Sequence, residues 1–298
     1  MATVVSFINY KGGVGKTTVA VEMAASLAYH KNKRVLLADL DPQTNATFYL
    51  MAEEAWEEWA KAEEHGTLKN IFASATSDPP QEFDLHKAIR TNFLFHQRTN
   101  EVVSLHLLPS HLELMMADMD LAMRFGAKGF EGRKILHAAF EKVQDEYDYI
   151  ICDCPPNLNL ITQNAILASD ALMIVAMPEY LSTLGISEIE KAVKRLVDEV
   201  NHSIKGFGVV KGPVMKGIIF NRVRNQSGGT VHQEAVMTRV RQKWPNIVFG
   251  PFISQSDKVA QSSEPSKSPI AISGYAADRV YENQLKECAA EFIGRIEA

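Results

Sequence analysis

The sequence predicts an α/β fold of the doubly wound kind, a mostly parallel sheet flanked by helices, formed by residues 1–298 as a single domain. Three observations carry this expectation. Short apolar runs, rich in β-branched residues, alternate with helical patterns along nearly the whole length. The first run passes through a glycine-rich turn into a helix and then a second run, which is a βαβ unit with a right-handed crossover. No long linker and no internal repeat interrupts the alternation.

Taken in order, residues 3–8 (TVVSFI) read as a buried parallel strand and about 16–30 as the first helix. Residues 34–40 form a second strand that runs into Asp39-Leu40-Asp41-Pro42-Gln43. Residues 51–65 carry six glutamates against Lys61 and read as an exposed acidic helix whose Trp56 and Trp59 turn inward; 74–81 is a loop. A strand over 102–108 precedes helices at about 112–125 and 132–145. A strand over 147–152 then ends at Asp153. A helix at 159–168, a strand at 171–176 and a charge-rich helix at 183–200 follow, then a strand at 214–220 ending at Asn221. A basic helix at 230–243 and a last helix at about 275–296 complete the pattern.

Composition narrows the function. A net charge of −5 excludes a general polycation, so any nucleic-acid contact requires a local patch. Three cysteines, Cys152, Cys154 and Cys288, are too few for a disulfide framework and lack the neighbours of a metal site, so they read as small apolar fillers in a reducing compartment. The opening MATVVSFINY has no basic segment or cleavage site, and no apolar run has the length of a membrane span; a cytoplasmic chain is expected.

The chemistry concentrates in Lys11-Gly12-Gly13-Val14-Gly15-Lys16-Thr17-Thr18, between the first strand and first helix. Glycines let successive backbone N–H groups converge on phosphate oxygens, and the helix start adds its positive dipole end. Lys16 is placed to reach β- and γ-phosphates, and the Thr17 hydroxyl to ligate Mg²⁺. The spacing of Asp39 and Asp41 sends both carboxylates to one side at a strand's carboxyl end, where α/β sheets bind ligands. Asp153, closing the apolar Tyr149-Ile150-Ile151-Cys152, is placed to hold Mg²⁺ through water.

The KGGVGKT loop, with Lys11 where the ordinary P-loop has its first glycine, resembles the deviant Walker family that includes ParA/Soj partition ATPases, MinD, the nitrogenase iron protein and the arsenite-pump ATPase. Asp39-Leu40-Asp41-Pro42-Gln43 resembles the DxDPQ motif of the ParA group, and Asp153-Cys154-Pro155-Pro156 its second switch. Leu107-Leu108-Pro109-Ser110 and Pro178-Glu179-Tyr180 are further matches, so the likeness runs along nearly the whole chain. The resemblance implies a P-loop ATPase that takes ATP and Mg²⁺. It implies that Lys11 crosses a dimer interface to the partner's phosphates, that Asp41 positions the attacking water, and that Asp39 supports the Mg²⁺ shell. It also implies that Asn221 hydrogen-bonds adenine, with Pro251 and the stretch through Ser263-Glu264-Pro265 around the base. Phe252 departs from the family's basic residue after that proline.

From Lys191 to Lys243 eleven basic residues stand against Asp198, Glu199 and Glu234, a local excess of eight in a negatively charged chain. Nonspecific binding to the phosphate backbone needs such a patch. Arg222, Arg224, Arg239 and Arg241 are the expected contacts. With no N-terminal extension for a helix-turn-helix, the likeness is to small or chromosomal ParA/Soj proteins: a homodimer with ATP, associated with the nucleoid, its slow hydrolysis stimulated by a ParB-like or cargo-adaptor protein. The alternative is a MinD-like membrane-associated ATPase. The last helix, with Glu282, Glu287, Glu291 and Glu297 against Lys286 and Arg295, lacks the basic face that role requires.

Overall fold

The computed structural model describes residues 1–126, 129–206, 208–224, 230–258, 268–275 and 278–298. Its centre is a six-stranded sheet, parallel throughout: β1 (Thr3–Ile8), β2 (Val35–Asp39), β3 (Leu105–Leu108), β4 (Tyr149–Asp153), β5 (Ala171–Ala176) and β6 (Val214–Phe220). The spatial order is β3-β2-β4-β1-β5-β6. Because β1 is central and the chain winds away from it in both directions, the carboxyl end of β1 is a topological switch point, where such sheets open a crevice.

The strands are apolar on both faces because helices cover both. Val5 and Phe7 of β1, with Tyr149 and Ile151 of β4, face one layer; Val4 and Ile8, with Ile150 and Cys152, face the other. The first layer is α1 (Lys16–His30), α2 (Asn45–Leu50), α3 (Glu53–Lys61) and α10 (Arg279–Ile296). The second is α4 (Leu68–Thr76), α5 (Leu114–Phe125), α6 (Ile135–Glu141), α7 (Leu160–Ala168), α8 (Tyr180–Ser203) and α9 (Thr230–Lys243). The cysteines are buried fillers, as composition predicted: burial pushes the Cys154 thiol up to about 12 and Cys152 well above its ordinary value.

Strands 171–176 and 214–220 and helix 230–243 fall where the sequence placed them. Trp56 is buried, its indole N–H donating to the Ser110 carbonyl at 3.0 Å, and Trp59 is half-buried against the same core, its indole N–H donating to the Gly66 carbonyl at 2.8 Å. Others shift. The strand expected over 102–108 is Leu105–Leu108, the helix expected over 132–145 is only Ile135–Glu141, and α8 starts at Tyr180 rather than 183. Helices α2 and α4 were not anticipated. Ser263-Glu264-Pro265 lies outside the described residues.

Candidate nucleotide site

The phosphate loop leaves β1 through Asn9, which is buried. Its amide donates to the Val175 carbonyl at 2.6 Å, and its Oδ1 accepts from the Lys11 N–H at 2.9 Å. Gly13 and Gly15 then take φ of +75° and +82°, the left-handed region that costs other residues about 1–2 kcal/mol. Gly15 is also the cap of α1, and a Cβ there would run into the Asn221 amide. The result is a turn beside a cleft of about 750 Å³ lined by the whole of Lys11 to Thr18.

Acidic groups converge on the same end of the sheet. Phe7 and Asp39 both register with Asp153 across the parallel ladders, so the strand ends lie side by side. Asp153 is fully buried, and neither of its oxygens has a hydrogen-bond partner among the described residues; Lys16 Nζ stands 3.9 Å away. Burial pushes its carboxyl up, while Lys16 and the nearby Thr17 hydroxyl pull it down. Asp41 lines the cleft, its Oδ1 accepting from the Gln43 N–H at 3.0 Å.

Asp39 closes β2 from inside the fold. Its carboxylate accepts from the Thr47 N–H (2.8 Å), the Thr47 hydroxyl (2.7 Å) and the Asp41 N–H (3.2 Å). Burial, then the neighbouring Asp153, raises it. It is fully buried and does not line the cleft, so it holds the Asp41 loop and α2 in place. Thr47 carries that scaffold further, its hydroxyl accepting from the Ser110 N–H at 2.9 Å. Asn221 is similarly committed: its amide donates to the Val14 carbonyl at 2.9 Å, backing the phosphate loop from inside, and neither it nor Pro251 is among the residues facing the cleft.

The basic residues separate. Arg222, at φ +57°, lines the same cleft as the phosphate loop. Arg224 is exposed and donates to the Gln255 side chain at 3.2 Å. Arg239 and Arg241, two apart on α9, lie on different sides of the helix, one exposed and one half-buried. Basic residues gather on α8: Lys191, Lys194 and Arg195 are exposed on one groove, which Asp198 and Glu199 line further along, and Lys243 lies near Glu188, whose carboxyl Lys191, Arg195 and Lys243 all hold down.

Lys11 is at the cleft's mouth. Its Nζ lies 3.1 Å from Glu179 Oε2, with both side chains well exposed. Glu179, just before α8, has no local sequence signal beyond its place in the Pro178-Glu179-Tyr180 match, and neither Asn9 nor Thr47 stood out in the sequence. A polar residue closing a buried strand immediately before a glycine loop is the one cue that could have found Asn9.

Comparison with known proteins places the chain in a family. A family profile described as an AAA domain matches residues 2–206. The sporulation initiation inhibitor protein Soj of Bacillus subtilis is 35% identical over 211 residues, 70% of this chain and 72% of Soj. The chromosome partitioning protein ParA of Myxococcus xanthus is 31% identical over 259 residues, 87% of this chain and 77% of that one. Among solved structures, an aspartate-to-alanine variant of Cyanothece McdA in complex with ATP superposes with a TM-score of 0.69, covering 98% of this chain and 96% of McdA at 21% identity. The chain belongs to the AAA-domain family of P-loop ATPases, in its ParA/Soj branch.

Proposed function

We propose that this chain is an ATPase that dimerises on ATP, binds DNA nonspecifically as the dimer, and positions DNA or another intracellular cargo. The observation that carries the reading is Lys11: a second lysine at the open mouth of a cleft whose own phosphate lysine, Lys16, is already in place 3.9 Å from Asp153. A cation at the rim on a long stem, held within its own chain by Glu179 at 3.1 Å, suits the phosphates of a facing subunit once it exchanges that carboxylate for them. There it neutralises charge in the transition state as an arginine finger does. Lys11, Lys16 and Asp41 are the catalytic set, with Asp41 orienting the attacking water.

The site fits Mg²⁺. Asp153 presents two buried oxygens without hydrogen-bond partners beside Thr17, and among the described residues there is no all-protein cage of His, Cys, Asp and Glu. Mg²⁺ keeps its waters and leans on nucleotide phosphates, so one hydroxyl and one carboxylate suffice. Thr17 would hold it directly and Asp153 through water, and it would neutralise charge on the β- and γ-phosphates.

The α8 cluster supports DNA binding, and two weak copies on one rigid dimer gain through effective concentration. A partner protein then stimulates hydrolysis, the dimer opens, and DNA is released. The MinD-like alternative is disfavoured by α10, whose apolar residues Leu285, Cys288, Ala289 and Phe292 are buried in the core. No helix among the described residues is long and apolar enough to cross a membrane.

The test is co-sedimentation with DNA, and in parallel with anionic liposomes, in ADP, ATP and a nonhydrolysable analogue. ATP-dependent DNA capture without liposome capture is expected. Lys16→Ala should abolish nucleotide binding, Lys11→Ala should lose ATP-dependent dimerisation, and Asp41→Ala should retain the ATP dimer on DNA while turnover stops. Normal turnover by Asp41→Ala would remove the water-positioning role.

A further inference from the structure

The outward face of α5 is unused by anything above. Its inward face, Leu114, Ala117 and Leu121, is buried in the core. Its outward face is apolar too: Met115, Met116, Met119 and Met123 are 62%, 54%, 57% and 83% exposed. At 3.6 residues per turn the four fall in one stripe opposite the buried positions, running about 12 Å along the helix. Scattered apolar side chains on a surface need no explanation, but a contiguous row marks a contact. Thioethers on unbranched stems are the side chains best able to repack against a second surface.

Two observations indicate what covers the row. Met115, at its start, lines the nucleotide cleft, so whatever closes over the cleft from outside extends onto the stripe. Asp118, on the same helix and also lining the cleft, accepts from the Leu160 N–H at 2.7 Å and the Ile161 N–H at 3.4 Å. Those are the first residues of α7, directly after the loop whose Pro155, Pro156 and Asn157 line the cleft. The helix that displays the methionines is thus fastened to the segment facing the nucleotide's phosphates.

We propose that the methionine stripe of α5 is the apolar part of the face covered by a second copy of this chain when ATP is bound. The inference rests on the dimer reading above and names the surface that reading lacks. The cleft rim offers Lys11, Asp41 and Arg222, charged groups that set register and specificity but gain little net attraction in water. The stripe adds the non-directional burial that holds two copies together. In an isologous pairing the same row is supplied from both sides.

The wild-type chain is oxidised with dilute hydrogen peroxide in ADP and in a nonhydrolysable ATP analogue, at protein concentrations above and below the dimer dissociation constant, with methionine sulfoxide read by mass spectrometry. Met116, Met119 and Met123 should become several-fold less reactive only with the analogue and only at the higher concentration. The buried Met173 and Met237 should stay unreactive in every state. In parallel, Met119→Lys/Met123→Lys is compared by light scattering. Neither residue lines the cleft, and lysine is a good helix former at exposed positions. Nucleotide affinity, measured at protein concentrations where both chains are monomeric, should be unchanged and the ATP dimer weakened about tenfold or more. If wild type dimerises while the stripe stays reactive, or the double variant dimerises as well as wild type, the stripe is not the interface and the dimer reading stands. Protection that ignores protein concentration means burial within one chain and overturns the proposal. If wild type stays monomeric in ATP at every concentration, the dimer reading fails and the stripe proposal fails with it.

Discussion

Lys11 has Glu179 as a partner within its own chain, and reaching another subunit's phosphates requires it to leave that carboxylate. An ion pair this exposed is worth little, so the restraint is a mild bias toward the open monomer. Glu179→Gln removes the charge but keeps the shape. It should tighten the ATP-dependent dimer by about two- to fivefold, measured by analytical ultracentrifugation; an unchanged dimer constant means that Glu179 does not compete for Lys11. Asn9 makes the opposite kind of contribution. Its two hydrogen bonds, the one to Val175 buried, tie the start of the loop to β5, and Asn9→Ala leaves the Val175 carbonyl without that donor. The expected cost is about 1–3 kcal/mol in thermal or denaturant unfolding, with weaker nucleotide binding. A variant as stable as wild type would show the loop to be held by its glycines alone. These residues mark the limit of reading a site from its motif. Lys16, Thr17 and Asp153 were legible because their chemistry recurs at fixed spacing on a strand–turn–helix. Asn221 and Asp39 were legible as positions, while their contacts within the chain were not: the Asn221 amide reaches the Val14 carbonyl, 207 residues away, and Asp39 takes both the N–H and the hydroxyl of Thr47.

Among the elements, α1 does more than present the phosphate loop. Glu22, buried in its middle, accepts from the Tyr49 hydroxyl of α2 at 2.8 Å and from the Ile270 and Ala271 N–H groups at 2.8 and 2.9 Å. One carboxylate therefore joins the nucleotide helix, the helix after the Asp41 loop and the turn packed beneath α10. At the carboxyl end of α1, His30 Nε2–H donates to the Ala271 carbonyl at 2.6 Å. Burial, with Lys286 adding to it, lowers His30 to about 4 from its ordinary 6.5. The sign follows from proton counting. Between those values the unfolded chain binds a proton that the folded chain excludes, so stability is lost as pH falls through that window and regained as it rises. Because the imidazole is only partly shielded from solvent, the contribution is discounted to about 1–2 kcal/mol. His30→Gln keeps a donor but does not titrate, so the stability gap between wild type and variant should shift by that amount between pH 7 and pH 4.5. A gap independent of pH would show that His30 does not control acid stability. The long periodic elements could be read in advance because their burial is written in their own pattern, as with β5 and β6. Helix α2 could not. It has six residues, begins at Thr44 with φ +54°, and is fixed by Thr47 reaching Asp39, a contact with no trace in local sequence.

For the whole molecule, the distribution of charge decides how it would meet DNA. The sequence showed an excess of basic residues between Lys191 and Lys243 but not that the fold divides them. Strand β6 carries Arg222 to the nucleotide cleft, while α8 and the end of α9 bring Lys191, Lys194, Arg195 and Lys243 to a separate surface. The two groups should therefore fail differently. Arg222→Ala should weaken ATP binding and, through it, every ATP-dependent property together. Lys191→Ala/Arg195→Ala should leave ATP binding and basal turnover intact and reduce DNA affinity at low salt. The logarithmic salt dependence reports the number of phosphates neutralised, about 0.9 per contact. In a symmetric dimer each substitution counts twice, so the double variant should lower that slope by about three to four if all four side chains sit on phosphates. A double variant with the wild-type slope would place the DNA elsewhere. An Arg222→Ala chain that bound ATP normally while losing the same slope would return DNA contact to Arg222, one of the four arginines expected from the sequence.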